Sequence, residues 1–148
     1  MPTVALNSAL SLCRDRSWAV RAPDRLAVIS PMYNEAASAR RALASLFEQS
    51  EPPDHLAVSV NGGDDDTCAV VAQTLASYGY VRSDSLPHRW LDAEEERWRH
   101  PERALMVTVM SYRSKTSKSD SINNLVLFGI VEAERVLVVD GDTVFHPD

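Results

Sequence analysis

Short apolar runs alternate with stretches of helical periodicity along most of this 148-residue chain. A short, unbroken run rich in Val and Leu is typical of a strand buried on both faces of a parallel sheet. Four such runs predict strands, at 26–30, 56–60, 105–110 and 135–139. Between them, apolar residues recur at helical spacing and predict three helices, within 36–47, 68–78 and 122–133.

Strands and helices therefore alternate, and such alternation predicts right-handed βαβ crossovers. We expect an α/β domain with a Rossmann-like, mostly parallel sheet of about four strands and helices on both faces. We interpret residues 23–148 as this domain, and residues 1–22 as an N-terminal arm or short helix.

One stretch, residues 80–103, lacks a clear period. It contains Trp90, Trp98 and the charged run Glu94-Glu95-Glu96-Arg97, with Pro87 and Pro101 around them. We expect a short surface helix within a long loop here. Long loops in compact domains are often lids or binding loops, and an inert surface excursion is the alternative.

Composition narrows the class of protein. The net charge of −6 and the lack of a long basic run argue against a nucleic-acid partner. Cys13 and Cys68 form no C-x-x-C pair, which favours a reducing, cytoplasmic location over a disulfide scaffold or zinc site. The first residues do not resemble a signal peptide, and no apolar run approaches the length of a transmembrane segment.

Polar side chains follow the end of each predicted strand. Because the carboxyl ends of parallel strands share one edge, four turns should meet there, at 31–35, 61–66, 111–118 and 140–143. They carry an aromatic ring, amides, carboxylates and two or three cations. This combination suits a nucleoside diphosphate. No G-x-G-x-x-G or P-loop pattern is present, which argues against dinucleotide and P-loop binding.

Two aspartates end the last apolar run. Asp140 and Asp142 flank Gly141, and paired carboxylates of this kind favour Mg²⁺ or Mn²⁺ together with substrate phosphates. Asp and Gly are also ordinary turn residues, so a solvated turn is the alternative. At the first turn, Asn34 is a candidate cap for the helix that follows.

Four motifs in this order resemble family 2 glycosyltransferases of the GT-A fold. They are Val28-Ile29-Ser30-Pro31-Met32-Tyr33-Asn34-Glu35, Val60-Asn61-Gly62-Gly63-Asp64-Asp65-Asp66-Thr67, Lys118-Ser119-Asp120-Ser121-Ile122-Asn123 and Val139-Asp140-Gly141-Asp142-Thr143. The resemblance spans about residues 25–148 and implies inverting transfer of a sugar from a nucleotide-diphosphate sugar, with a UDP-sugar as the default donor.

The resemblance also implies roles for individual residues. The nucleotide-binding residues would be Pro31, Tyr33, Glu35, Asn61, Lys118, Asn123 and Asp140. Asp140 and Asp142 would hold Mn²⁺ or Mg²⁺ with the diphosphate. Each residue also has an ordinary structural explanation: Tyr33 could pack, Asn61 could serve only the turn, and Lys118 could be solvated.

Two departures from the family pattern matter. The second motif has Val60-Asn61 where the family usually has an acidic pair. The family's catalytic base and acceptor motifs follow the D-x-D turn, where this sequence stops, so we expect a donor-binding half completed by a downstream domain or a second polypeptide.

Two other functions remain open. One is a catalytically inactive fragment that binds nucleotide or a partner chain. The other is a haloacid-dehalogenase-type phosphatase, whose D-x-D-x-[TV] motif residues 140–144 also fit. That motif should follow the first strand of its fold, whereas here it follows the last.

Overall fold

The computed structural model describes residues 25–147, and the predicted N-terminal arm at 1–22 lies outside them. Strands and helices alternate at the two ends of this range, with three strands in succession between the second and third helices. The elements are β1 (Leu26–Met32), α1 (Ala39–Phe47), β2 (His55–Val60), α2 (Thr67–Ser77), β3 (Val81–Pro87), β4 (Ala93–Arg99), β5 (Met106–Tyr112), α3 (Lys118–Leu127) and β6 (Arg135–Val138).

One six-stranded sheet, in the order β3-β4-β5-β2-β1-β6, forms the centre of the molecule. The four strands predicted from apolar runs are the parallel ones, with β1 between β2 and β6 and β5 beside β2. Strands β3 and β4 extend the sheet with antiparallel pairing. The predicted mixed α/β class with a mostly parallel sheet is confirmed, and the sheet has two strands more than expected.

Helices cover both faces of the sheet, as predicted. Leu43 of α1 and Leu75 of α2 are fully buried in a core that also contains Val28 and Val58. The opposite face is covered by α3, through Leu125, in a second core. Alternate strand residues point to opposite faces, so each central strand contributes to both cores. Among the helices of residues 25–147, none is long and apolar enough to cross a membrane.

The predicted surface helix within 80–103 is wrong, because this stretch forms the β3–β4 hairpin. Glu95, in the charged run, is buried on β4 and forms a salt bridge of 3.0 Å with Arg97. Trp98 is also buried, with the Arg82 guanidinium 5.9 Å from its ring centroid. Local pairing of opposite charges lets a polar sequence occupy a strand.

The prediction that the last strand is buried on both faces is also wrong. β6 pairs only with β1 among the described strands, and it forms one edge of the sheet. Its side chains Val136, Leu137 and Val138 are each 43% exposed. An apolar strand is therefore placed where soluble proteins usually place charge, proline or a bulge.

His55 at the start of β2 is a buried titratable group, only 1% exposed. Its Nε2 lies 3.0 Å from the Thr108 hydroxyl on β5. Burial lowers the pKa of His55 from 6.5 to about 4, because the charged imidazolium would lose its hydration. The folded protein therefore holds a neutral imidazole at pH values where the unfolded chain is already protonated.

We predict that stability falls as the pH is lowered through this window. Between pH 7.5 and 5 the unfolded chain takes up a proton that the folded chain does not, which costs about 2 kcal/mol of unfolding free energy. Urea unfolding of the wild type and of His55→Gln at both pH values measures this cost. The pH-dependent loss should be much smaller in the variant, and an equal loss in both proteins would contradict the assignment to His55.

Candidate functional site

A cavity of about 400 Å³ opens at the carboxyl edge of the sheet. Its walls come from the turns after β1, β2 and β6 and from the loop that precedes α3, so chain segments distant in sequence meet there. Seven of the residues predicted for the site line it. They are Pro31, Tyr33, Glu35, Asn61, Lys118, Asp140 and Asp142.

Asn123 is the predicted site residue that does not line this cavity. It lies in the second turn of α3 with an exposed side chain. The helix start that suggested its role is nevertheless present, because α3 begins at Lys118. Ser117 caps the helix by accepting a hydrogen bond of 3.0 Å from the Asp120 amide.

The two aspartates lie at the mouth of the cavity, where both side chains are exposed. Lys118 forms an ion pair with the Asp140 carboxylate, so the start of α3 is linked to the turn after β6. Both side chains of this pair are more than half exposed, which limits its contribution to stability. The pair instead shows that the Lys118 ammonium reaches the negatively charged turn that carries the aspartates.

Tyr33 and Lys115 form a further part of the wall. The Lys115 ammonium lies 4.6 Å from the centroid of the Tyr33 ring, a cation–π contact, and the ring is 41% exposed. The cavity thus combines an accessible aromatic surface with two lysines, Lys115 and Lys118. An aromatic base and a negatively charged group are the ligand features that this wall fits.

Asn61 is only 2% exposed, and both ends of its amide are engaged. The side-chain oxygen accepts a hydrogen bond of 2.7 Å from the Ser59 hydroxyl, and Nδ2 donates one of 3.1 Å to the Ser121 hydroxyl. Asn61 therefore ties the end of β2 to α3. One hydrogen of Nδ2 and one lone pair of the oxygen remain for a ligand.

Five further wall residues lie in turns that were predicted to meet at this edge, but sequence reasoning assigned them no individual role in the site. These are Met32, Lys115, Thr116, Ser117 and Gly141. Ser117 carried a usable signal, since Ser with an acidic residue three positions later resembles a capping box. Met32 and Gly141 face the cavity through the close packing of two turns, which no local pattern reveals.

Two glycines allow the turns to approach one another. A Cβ on Gly62 would lie 2.2 Å from the Ser114 carbonyl oxygen, and Gly62 has φ +66°. A Cβ on Gly141 would lie 2.7 Å from Cγ of Met32. Contacts this short are sterically forbidden, so only glycine lets the loops around the cavity pack this closely.

The turn after β1 is joined to the loop after β2 by side-chain hydrogen bonds. Asn34 bonds to Asp64, and the amide of Ala36 donates a bond of 2.9 Å to the Asp65 carboxylate. Hydrogen bonds lower the pKa of Asp65. The bond from the Thr67 hydroxyl has the largest effect, and those from the amides of Ala36 and Thr67 have smaller ones. The prediction that Asn34 caps a helix is wrong, since α1 begins at Ala39 after its N-cap Ser38.

We predict that Gly62→Ala destabilises the fold by about 1–3 kcal/mol through strain and overpacking. Gly129→Ala is the matched control, because Gly129 has φ +64° but its nearest Cβ contact would be 3.5 Å away. Urea unfolding of both variants separates the steric contact from the backbone strain. Equal losses of stability would contradict the assigned contact between Gly62 and Ser114.

The fold matches those of solved glycosyltransferases. The mannosyltransferase PcManGT from Pyrobaculum calidifontis, in complex with GDP-Man and Mn²⁺, has a TM-score of 0.59 and 22% identity, and the match covers 95% of this chain and 35% of that one. S. aureus TarS has a TM-score of 0.56 and 20% identity, over 84% of this chain and 18% of that one. TarS 1–349 in complex with UDP has a TM-score of 0.52 and 20% identity, over 80% and 27%.

These likenesses show a GT-A-like, Rossmann-like fold over most of the chain. The chain spans about a third or less of the length of these solved structures. No protein-family model matches the sequence, and no curated protein matches it.

Proposed function

We propose that this chain is the donor-binding half of a glycosyltransferase and binds a nucleotide-diphosphate sugar at the carboxyl edge of its sheet. The observation that carries the proposal is the convergence of seven predicted residues on one cavity of about 400 Å³. That volume is in the range of sites for small ligands. The fold supports the proposal, since glycosyltransferases of known structure share it.

Roles within the cavity follow from its chemistry. Tyr33, exposed on one wall, would pack against the nucleoside, and Asn61 would hydrogen-bond to it with its remaining donor and acceptor. Lys118 would move from the Asp140 carboxylate to the diphosphate, because a phosphate offers more charge than one carboxylate. Glu35, also in the wall, would complete the pocket.

Asp140 and Asp142 would hold a divalent ion, Mn²⁺ or Mg²⁺. Among the described residues, no group of three His, Cys, Asp or Glu side chains could hold a metal ion alone. A pair of carboxylates nevertheless fits Mg²⁺-type binding, in which one or two carboxylates and the substrate phosphates share the ion. Such an ion supplies positive charge to the departing diphosphate. The structure of PcManGT with Mn²⁺ supports this proposal.

The reaction that we propose is an inverting transfer. The acceptor oxygen bonds to the anomeric carbon while the bond from that carbon to the diphosphate breaks, and the acceptor proton passes to a carboxylate base. Lys118 stabilises the charge that develops on the diphosphate. Glu35, Asp140 and Asp142 are the carboxylates that line the cavity, and the roles proposed above place all three at the donor. We therefore assign the base to polypeptide outside residues 25–147.

The donor identity is the second part of the proposal. PcManGT was solved with GDP-Man and TarS 1–349 with UDP, so both nucleotides are reasonable probes. The resemblance to family 2 favours UDP, and a cytoplasmic location, inferred from cysteine usage, would give access to nucleotide sugars.

We predict that the purified chain binds UDP or GDP in the presence of Mn²⁺ and loses most of that affinity in EDTA. Removing both carboxylates, in the variant Asp140→Ala/Asp142→Ala, should weaken binding at least about tenfold, equivalent to 1.4 kcal/mol. Isothermal titration calorimetry measures both effects. The preferred nucleotide names the donor class.

The matched control is Asp66→Ala/Glu102→Ala, which removes the same charge from exposed positions outside the cavity lining. Its metal dependence should persist, whereas that of the cavity variant should be lost. A folded wild type that binds neither nucleotide would contradict the proposed function.

A third part of the proposal concerns β6. The outer strand β3 carries several features that discourage edge pairing: a register irregularity between Arg82 and Asp84, an acidic residue and Pro87. β6 has three half-exposed apolar residues and none of these features between Val136 and Val138. We propose that β6 pairs with a strand of further polypeptide, from a downstream domain or a second chain, which completes the enzyme.

In the absence of such a partner, we predict that the chain self-associates through β6 as its concentration rises. Leu137→Lys should reduce the association by adding charge to this edge. Leu86→Lys is the control, because Leu86 is a 55% exposed leucine on the opposite, protected edge. Sedimentation velocity measures the mass distribution. A monomeric wild type at all concentrations, or equal effects of both variants, would argue against pairing through β6.

A further inference from the structure

Asn34 has a backbone conformation that most side chains avoid. Its φ is 55°, and it is the non-glycine residue with a positive φ among residues 25–147. Asn tolerates the left-handed region better than most residues, because its short amide can bond locally. Here the amide bonds instead to another loop, so the unusual turn serves a longer-range contact.

Two hydrogen bonds join Asn34 to Asp64. Nδ2 of Asn34 donates a bond of 2.7 Å to the Asp64 carboxylate, and Oδ1 accepts one of 3.1 Å from the Asp64 amide. The neighbouring Gly63 makes this approach possible, because a Cβ there would lie 2.2 Å from Oδ1 of Asn34. Both ends of the amide thus recognise one residue of the facing loop.

A second set of hydrogen bonds joins the same two segments, the turn after β1 and the loop after β2. The Glu35 amide donates a bond of 2.8 Å to the Thr67 hydroxyl, and that hydroxyl donates to the Asp65 carboxylate. The Ala36 amide donates to the same carboxylate. Three successive residues of the turn, 34–36, are therefore held by the loop that follows β2.

The residues on either side of Asn34 line the cavity, whereas Asn34 itself does not. Tyr33 and Glu35 both belong to the wall. Since backbone direction at residue 34 sets where its two neighbours point, a change in its φ would move both of them. The bonds to Asp64 hold that φ in place without occupying any of the cavity.

We infer that Asn34 is a positioning residue, which acts through Asp64 to orient Tyr33 and Glu35 toward the nucleotide. This inference rests on the proposed function of the cavity. It adds that Asn34 raises the affinity of the cavity for nucleotide without touching the ligand. Outer residues that orient binding groups commonly change affinity by about tenfold or more when they are replaced.

The test begins with Asn34→Gly, since glycine adopts a positive φ without strain and lacks the two side-chain bonds. The ligand is UDP or GDP, whichever the wild type binds, titrated in the presence of Mn²⁺. We expect the affinity for this nucleotide to fall about tenfold. Asp66→Asn is the control, an exposed loop residue without a side-chain cap bond. Calorimetry gives the affinity, and urea unfolding reports whether each variant is folded.

A charge exchange gives the sharper measurement. Asn34→Asp places two carboxylates against each other and should weaken binding at least as much as Asn34→Gly. Adding Asp64→Asn exchanges the two groups, so that the amide at position 64 can donate to the carboxylate at position 34. The double variant should therefore recover most of the wild-type affinity. A loss of stability alone cannot produce this recovery in nucleotide affinity when all proteins are folded at the temperature of the titration.

The outcomes separate this inference from the function on which it rests. If the wild type binds no nucleotide, both are overturned. If the wild type binds and Asn34→Gly binds equally well, only the positioning role is overturned. If Asn34→Gly binds weakly but the double variant fails to recover, the pairing with Asp64 is not the cause, and the inference is also overturned. Loss with recovery supports it.

Discussion

Parallel pairing of β1 with two neighbours is the constraint on which the rest of the structure depends. Met32 is in register with Val60 of β2, and Ile29 with Val138 of β6, so three strands end at one edge. The loops that leave them must then share a small space, and glycines at 62 and 141 let them pack together. The cavity is a consequence of strand order, because no two of its walls are adjacent in sequence.

Apolar runs predicted the four parallel strands, of which β1, β2 and β5 contribute to two cores and therefore need little polarity. The hairpin was missed for the opposite reason. The run from Glu94 to Arg97 resembles a solvated helix in sequence, yet Glu95 is buried beside Arg97, its ion-pair partner two residues along the same strand.

The pattern of apolar residues does not determine the order of the strands in the sheet. The run at 136–138 has the composition of a central strand, but β6 is half exposed at the edge of the described sheet. Composition reports what a strand can bury, whereas its neighbours decide what it does bury. The structure brings the predicted residues at strand ends, such as Asp140 and Asn61, to one cavity, whereas Asn123, which lies on a helix, is outside the lining of that cavity.

Asn34 shows how the role of a motif residue can differ from the role that its sequence position predicts. Its place between Tyr33 and Glu35 suggested a helix cap, since Asn often caps helices. The left-handed backbone at Asn34 instead turns its amide away from the cavity and toward Asp64. Both uses satisfy the same hydrogen-bonding groups, so sequence cannot separate them. The position of the facing loop, set by the register of β1 and β2, decides between the two uses.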